Sequence, residues 1–375
     1  MKLAPEDGRI RALDGVRGLA IVVVVVHNAA WISGNSGQLT TKLFTSLAAA
    51  GWAGVELFFV LSGFLITGIL RDTRTNPDFF RRFYYRRSLR IFPLYFLLLG
   101  VVALVVAPLQ RGSLWSESVR AHQWTYWLYL SNWTEPFGRS IRGLSHLWSL
   151  AVEEQFYLLW PFAVWCFGAK GLLRLSAALA MSGPALRYAM YVGNLPHYAL
   201  YTFTVARWDA LAFGASVALI LRDVGLEEPL RRWLWFIWLC AGIAALSLAF
   251  HLHGFHSFNV MVLIIGQSFA ALLSACLIAQ IAMRRNNEPK SQTIKFFETP
   301  MLQSLGKHSY AMYLIHVPIH IFLLPSFLSW VEHPDDFWHL PRLLFYISLV
   351  TGISYVLARA LWRFIEHPFL RRRDS

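Results

Sequence analysis

The chain has 375 residues, 56% of them hydrophobic and only 15% charged, against about one quarter charged in ordinary globular chains. That composition excludes an ordinary soluble domain, and continuous apolar runs of roughly 18–25 residues point to membrane helices, because barrel strands would alternate. A formal net charge of +13 would suggest nucleic acid as the partner of a soluble protein; here no nucleic acid is expected, the partner is the lipid bilayer, and the basic excess reports topology.

Ten spans are predicted, at roughly 13–33, 50–70, 88–108, 146–167, 171–190, 202–221, 232–250, 258–283, 305–325 and 341–364. The fold class expected is therefore all-α, a polytopic bundle of about ten transmembrane helices forming one domain over 1–375. The first run, "LAIVVVVVHNAAW", imitates a signal peptide, but it holds His27, follows Arg17 and precedes many further spans, so an uncleaved first span is the reading. The segment "HQWTYWLYLSNWTEPFG" (122–138) is too short and too aromatic to span, and reads as an interfacial helix or loop. Trp residues over 115–133 suit either the interface or stacking on a sugar. "CFGAKG" is a helix-to-helix turn with no phosphate-loop motif. Cys166, Cys240 and Cys276 all lie in apolar runs, so no disulfide framework is indicated. With the N-terminus placed inside, most of the 34 Lys and Arg fall in inner segments, so both termini are expected in the cytoplasm and the chain in the inner (cytoplasmic) membrane.

Ionisable side chains inside such spans are costly and mark function by default. In chain order, "RALDGVRGLAIVVVVVHNAAW" carries Asp14, Arg17 and His27. His27 lies ten residues beyond Arg17, about 15 Å further along the helix. A neutral imidazole there suits general-base chemistry on a hydroxyl. "GVELFFVLSGFLIT" carries Glu56 and Ser62. "RRFYYRRSLRIFPLYF" places Arg86, Arg87 and Arg90 where the third span begins; Arg87 and Arg90 share a helix face and form a fork suited to phosphate oxygens, although inner-surface topology alone explains much of this charge. In "SHLWSLAVEEQFYLLWP", Ser149, Glu153 and Tyr157 form one stripe at i, i+4 and i+8, and Glu154 is turned about 100° from it. "RWDALAFGA" adds Arg207 and Asp209, and "GKHSYAMYLIHVP" adds Ser309, Tyr310, Tyr313 and His316. Several spans with polar marks suggest a shared intramembrane cavity; helix register fixed by buried polar groups is the competing reading. His251, His253 and His256 lack Cys or carboxylate partners nearby, so no metal is expected.

These stretches, with "IEHPFLRR" near the C-terminus, run in order over almost the whole chain and resemble the acyltransferase-3 family of membrane acyltransferases, which O-acylate bacterial cell-surface sugars, peptidoglycan and some secondary metabolites. "HLWSLAVEEQFYLLWP" is the most specific of them. The resemblance implies ten or so helices, an acyl-CoA donor from the cytoplasm (acetyl-CoA as the donor substrate) and an acceptor hydroxyl reached from the outer side. It implies roles for Arg17 and His27, for the RxxR pair Arg87 and Arg90, and for Ser149, Glu153 and Tyr157. One departure stands out: the usual spacing puts the His eleven residues after the Arg, where this chain has Asn28. Eleven steps return a helix to within about 20° of its starting face and ten leave it about 80° away, so either the helix is distorted or Arg17 and His27 face neighbouring walls. No extracellular esterase-like domain is expected, unlike some members.

The function expected is acyl transfer from acyl-CoA to a hydroxyl of a sugar-containing acceptor of the cell envelope. His27 is the base, Glu153 orients or stabilises it, and Ser149 and Tyr157 donate hydrogen bonds to the reactants. Direct attack and a relay through an acylated His27 stay open. The alternative is a transporter or flippase of a polar or lipid-linked substrate, whose central cavity also holds buried charge.

Overall fold

The computed structural model describes residues 10–33, 38–222, 226–252, 254, 256–284, 289–331 and 337–371. Among these there is helix and turn but no strand. In hydrocarbon a spanning segment must satisfy its own backbone, which a helix does within itself. The main helices are α1 (Arg11–Ala30), α2 (Leu39–Ala49), α3 (Ala53–Thr73), α4 (Phe79–Val101), α5 (Leu114–Trp127), α6 (Trp148–Cys166), α7 (Ala169–Val192), α8 (Thr204–Arg222), α9 (Glu227–His251), α10 (Gln267–Ala282), α11 (Pro300–Val331), α12 (His339–Leu361) and α13 (His367–Arg371). A π-helical turn, Val102–Val106, prolongs α4; Val262–Gly266 leads into α10, and Trp362–Glu366 joins α12 to α13.

Each of the ten predicted spans is helical, and the chain is a polytopic all-α membrane protein. Eight helical runs among the described residues are long and apolar enough to cross a membrane. α6 and α7 are the two that fall short, because α6 carries Glu153, Glu154 and Gln155 and α7 carries Lys170, Arg174 and Arg187. The loop expected before the second span instead holds α2, which runs through a 3₁₀ turn at Ala50–Trp52 into α3. The aromatic segment near 122–138 is helical to Trp127, the end of α5, and again in short turns at Ser131–Thr134 and Glu135–Phe137; α5 is capped by Ser113, whose side chain accepts a hydrogen bond from the Ser116 amide. Only Phe167 and Gly168 separate α6 from α7, the turn expected of "CFGAKG". His253 lies outside the described residues. α9 leaves Trp235, Leu246 and Phe250 exposed, an apolar face that suits lipid.

The chain divides into two compact units: Met1–Val24 with Ala49–Arg74 and Phe156–Lys307, and Val25–Ala48 with Thr75–Gln155 and His308–Ser375. In the first, α8 packs on α3 and α7, and α10 packs on α3. Glycines set the closeness of these helices. A Cβ at Gly63 would stand 1.9 Å from the Leu211 carbonyl oxygen, and one at Gly214 1.9 Å from that of Val60. The small-residue contact lets two backbones approach in a bilayer, where packing rather than hydrophobic expulsion holds helices together. Gly18 and Gly306 face the opposing backbone in the same way, Gly18 against Leu302 and Gly306 against Asp14.

The second unit is held by aromatic and hydrogen-bonded contacts around α4. Tyr95 stacks on Tyr129 with ring centroids 4.4 Å apart and donates its hydroxyl to the Tyr126 carbonyl at 2.8 Å. Tyr126 donates to Glu135 at 2.8 Å and accepts from the Ile141 amide at 3.0 Å. Burial, with the Glu135 charge adding to it, pushes the Tyr126 phenol well above its ordinary range, so it stays protonated as a donor.

The glycine contact gives the first prediction. Gly214→Ala should cost about 1–3 kcal/mol through overpacking and lower the thermal unfolding temperature in detergent. Gly100→Ala, where a Cβ meets nothing within 4 Å, should leave it unchanged.

Candidate functional site

In the first unit Glu56, Arg207, Asp209 and Arg187 are paired and sealed. Glu56 on α3 meets Arg207 on α8 at 2.5 Å, with the side chains 1% and 0% exposed. The Arg207 guanidinium also lies 5.4 Å from the Phe59 ring centroid and 5.3 Å from that of Tyr201, positions that favour a desolvated cation. Two residues further along α8, Asp209 pairs with Arg187 of α7 at 2.9 Å. Arg187 spends its remaining donors on the carbonyls of Ile264 and Ala206 and on Ser268, and Ser268 donates to Asp209 at 2.5 Å. A Cβ at Gly183 would stand 2.4 Å from the Asp209 carboxylate, so this glycine makes room for the charge. Ser62 and Tyr157 share a buried hydrogen bond of 2.5 Å. On α1, Asp14 and Arg17 are 3.6 Å apart, and Arg17 is half-buried.

The second unit carries His27, His146 and His316. His27 is half-buried, and its Nδ1 lies 2.9 Å from the Ala48 carbonyl at the end of α2. A carbonyl only accepts, so Nδ1 carries the hydrogen and the lone pair of the neutral ring sits on Nε2. The Trp31 indole stands edge-on, 6.1 Å away. Asn28, also half-buried, points its carboxamide nitrogen to His316 Nε2 at 3.3 Å. His316 gives its Nδ1 hydrogen to the Tyr313 carbonyl at 2.8 Å. Tyr313 donates to the His146 carbonyl at 2.8 Å and shares a 2.5 Å hydrogen bond with Ser149. His146 itself holds the Leu314 carbonyl at 3.2 Å and stacks edge-on to His316, 5.1 Å between centroids.

Further residues of the same unit lie on α4, α6 and α11. Arg86, Arg87 and Arg90 are half-buried on α4, and the Arg87 guanidinium lies 6.0 Å from the Phe83 ring centroid. Glu153 and Glu154 are half-buried on α6, and Glu154 interacts electrostatically with Glu153 and Arg87. Tyr310 donates to the Ile91 carbonyl of α4 at 2.6 Å, and Ser309 beside it is buried. Glu366, on the π-helical turn, is buried and feels the Arg90 charge.

The predicted residues thus meet in groups: Glu56 with Arg207, Ser62 with Tyr157, and Ser149 with Tyr313, while Asp209 pairs with an unpredicted residue, Arg187. Of the Ser149, Glu153, Tyr157 stripe, Ser149 bonds to α11 and Tyr157 to α3. Three residues escaped the sequence reading. Arg187 is one, and its sequence signal is a single Arg amid "SGPALRYAM", which points to a buried partner. Asn28 stands where the resemblance usually has His. His146, in "SHLWS", has its signal in being an ionisable residue beside an apolar run. As for the spacing departure, α1 is helical without interruption from Arg11 to Ala30, so no distortion restores the usual Arg-to-His register. Ten steps leave His27 about 80° from Arg17, and it is Asn28 that returns to within about 20° of it.

A family model described as an acyltransferase domain matches residues 10–359. The chain is 27% identical over 376 residues to the peptidoglycan O-acetyltransferase OatA of Listeria monocytogenes, covering 96% of this chain and 55% of that protein. It is 26% identical over 373 residues to the O-acetyltransferase OatA of Staphylococcus aureus, covering 96% and 57%. Against the putative peptidoglycan O-acetyltransferase YrhL of Bacillus subtilis it is 29% identical over 393 residues, covering 96% and 54%. The chain therefore spans about half the length of the curated relatives it matches. No solved structure matches it.

The paired charges of the first unit give the second prediction. Arg187→Ala strands the Asp209 carboxylate and should cost about 3–5 kcal/mol, read as loss of monodisperse protein on detergent size-exclusion. Combining it with Asp209→Leu should recover part of the loss, since no unpaired charge remains.

Proposed function

The chain belongs to the acyltransferase-3 family, and on that premise we propose that it moves an acyl group, acetyl by the names of its relatives, from acyl-CoA to a hydroxyl of a peptidoglycan-type carbohydrate. The observation that carries the reading is the His27 ring. Its Nδ1 hydrogen is committed to the Ala48 carbonyl, which puts the proton-accepting lone pair on Nε2, as a general base requires.

In the proposed step the acceptor hydroxyl gives its proton to His27 Nε2 as its oxygen attacks the thioester carbonyl. The C–O bond forms, the tetrahedral intermediate collapses, and the C–S bond breaks. The thiolate takes the proton back from the imidazolium, leaving an ester, free CoA thiol and a neutral His27. Glu153, half-buried on α6, supplies negative charge that favours the imidazolium formed midway. The half-buried guanidiniums of Arg86, Arg87 and Arg90 suit the phosphates of CoA, since a planar fork of donors matches phosphate oxygens. Arg17 is the further cation assigned to the donor. Orientation follows from charge: with both termini on the cytoplasmic side of the cytoplasmic membrane, the α4 arginines meet a cytoplasmic donor. The chain's membership of an acyltransferase family weighs against the transporter reading.

Two predictions follow from this scheme. In proteoliposomes given acetyl-CoA and an N-acetylglucosamine oligomer, free thiol should appear only when the oligomer is present; uptake without thiol would sink the enzyme reading. His27→Ala should lower that rate about 100-fold or more. Arg87→Ala with Arg90→Ala should act on the donor side instead, raising the KM for acetyl-CoA about tenfold or more and flattening its dependence on salt, measured by titrating the donor at two ionic strengths.

A further inference from the structure

Asn28 is the residue that sequence comparison with the family treats as a departure, yet it is tied into the most organised polar group of the second unit. The logic starts from His316. Its Nδ1 lies 2.8 Å from the Tyr313 carbonyl and 3.2 Å from that of Met312. Both are acceptors only, so Nδ1 bears the hydrogen and Nε2 of the neutral ring is a lone pair. A lone pair 3.3 Å from the Asn28 carboxamide requires an N–H there. The amide is therefore locked in one flip: nitrogen toward His316, oxygen turned away from it. Tyr313, which supplies the anchoring carbonyl, is itself pinned through its hydroxyl to the His146 carbonyl at 2.8 Å. His316 is fully buried, whereas Asn28 is half-buried.

Asn28 adjoins His27 on an unbroken helix, and the two side chains leave it about 100° apart. An acceptor that carries two neighbouring polar groups, as sugars do, presents one hydroxyl for acylation and a second group on the adjacent carbon.

We propose that Asn28 is an acceptor-binding residue, with His316 as its positioning residue: the carboxamide oxygen, held in place by the Asn28–His316–Tyr313 chain of hydrogen bonds, receives the O–H or N–H on the carbon next to the hydroxyl that His27 deprotonates. The ligand class is a vicinal diol or an acetamido alcohol. The proposal rests on the acyl-transfer reading and extends it from reaction to selectivity.

The test uses the full chain in proteoliposomes, acetyl-CoA as donor and free thiol as readout, with two acceptors: an N-acetylglucosamine oligomer and the monohydric alcohol 1-butanol. For Asn28→Ala, the KM for the oligomer should rise about tenfold, the size of one lost hydrogen bond, while the KM for acetyl-CoA and the efficiency with 1-butanol stay within twofold. His316 separates positioning from bulk. His316→Gln keeps an acceptor near the Nε2 place and should preserve oligomer selectivity. His316→Asn keeps a donor near the Nδ1 place for the Tyr313 carbonyl, loses the partner of Asn28, and should lose selectivity as Asn28→Ala does. A merely structural role moves both acceptors together and affects thermal stability instead, and that result overturns the inference. An Asn28→Ala enzyme with parental oligomer KM overturns it while leaving acyl transfer standing. A parent chain that releases no thiol with either acceptor overturns the acyl-transfer reading, and this inference with it.

Discussion

The organising constraint is the absence of water around a spanning helix: every polar group must find its partner inside the protein. This chain meets the constraint in two ways, distinguished by exposure. Glu56, Arg207, Arg187 and Asp209 are sealed at 0–2% exposed and matched charge for charge. His27, Asn28, Glu153, Glu154, Arg87 and Arg90 are only half-buried. The first set has paid its desolvation cost by pairing and is chemically quiet. The second keeps part of its surface exposed.

Close helix packing supports the sealed set. Gly63 and Gly214 bring α3 and α8 almost to backbone contact, and the same two helices carry Glu56 and Arg207. A 2.5 Å ion pair between helices needs such proximity, and Gly183 gives Asp209 its space in the same manner. Packing and electrostatics are thus one arrangement in this unit: small residues set the distance and paired charges fix the register. The second unit is arranged differently. There, backbone carbonyls of Ala48, Tyr313 and Leu314 each take a hydrogen from an imidazole. The carbonyls decide which ring nitrogen keeps its lone pair, and so decide the chemistry open to each histidine.

Much of this was legible in the sequence. The ten helical spans follow from apolar run length, and the turn between α6 and α7 follows from its glycine. The polar residues of the spans are visible as exceptions in their runs. Less legible was α2, whose mixed stretch "LTTKLFTSLAA" looks like loop when read beside stronger spans. Arg187 was not legible as one of a pair because its partners Ser268 and Asp209 are 81 and 22 residues away in sequence. The Ser149, Glu153, Tyr157 stripe shows the limit of periodicity: the spacing fixes a face of α6, but Ser149 and Tyr157 find their partners on different helices.

What the sequence by itself determined is fold class, the spans and the inventory of reactive groups, because these depend on local hydropathy and residue chemistry. Family membership is carried there too, in motifs ordered along the chain. Only the tertiary structure decided which groups are sealed and which stay half-buried, because that depends on partners far away along the chain. It also decided the tautomers of His27 and His316 and the flip of Asn28, since a ring or an amide has no preferred orientation until a neighbouring carbonyl or lone pair imposes one.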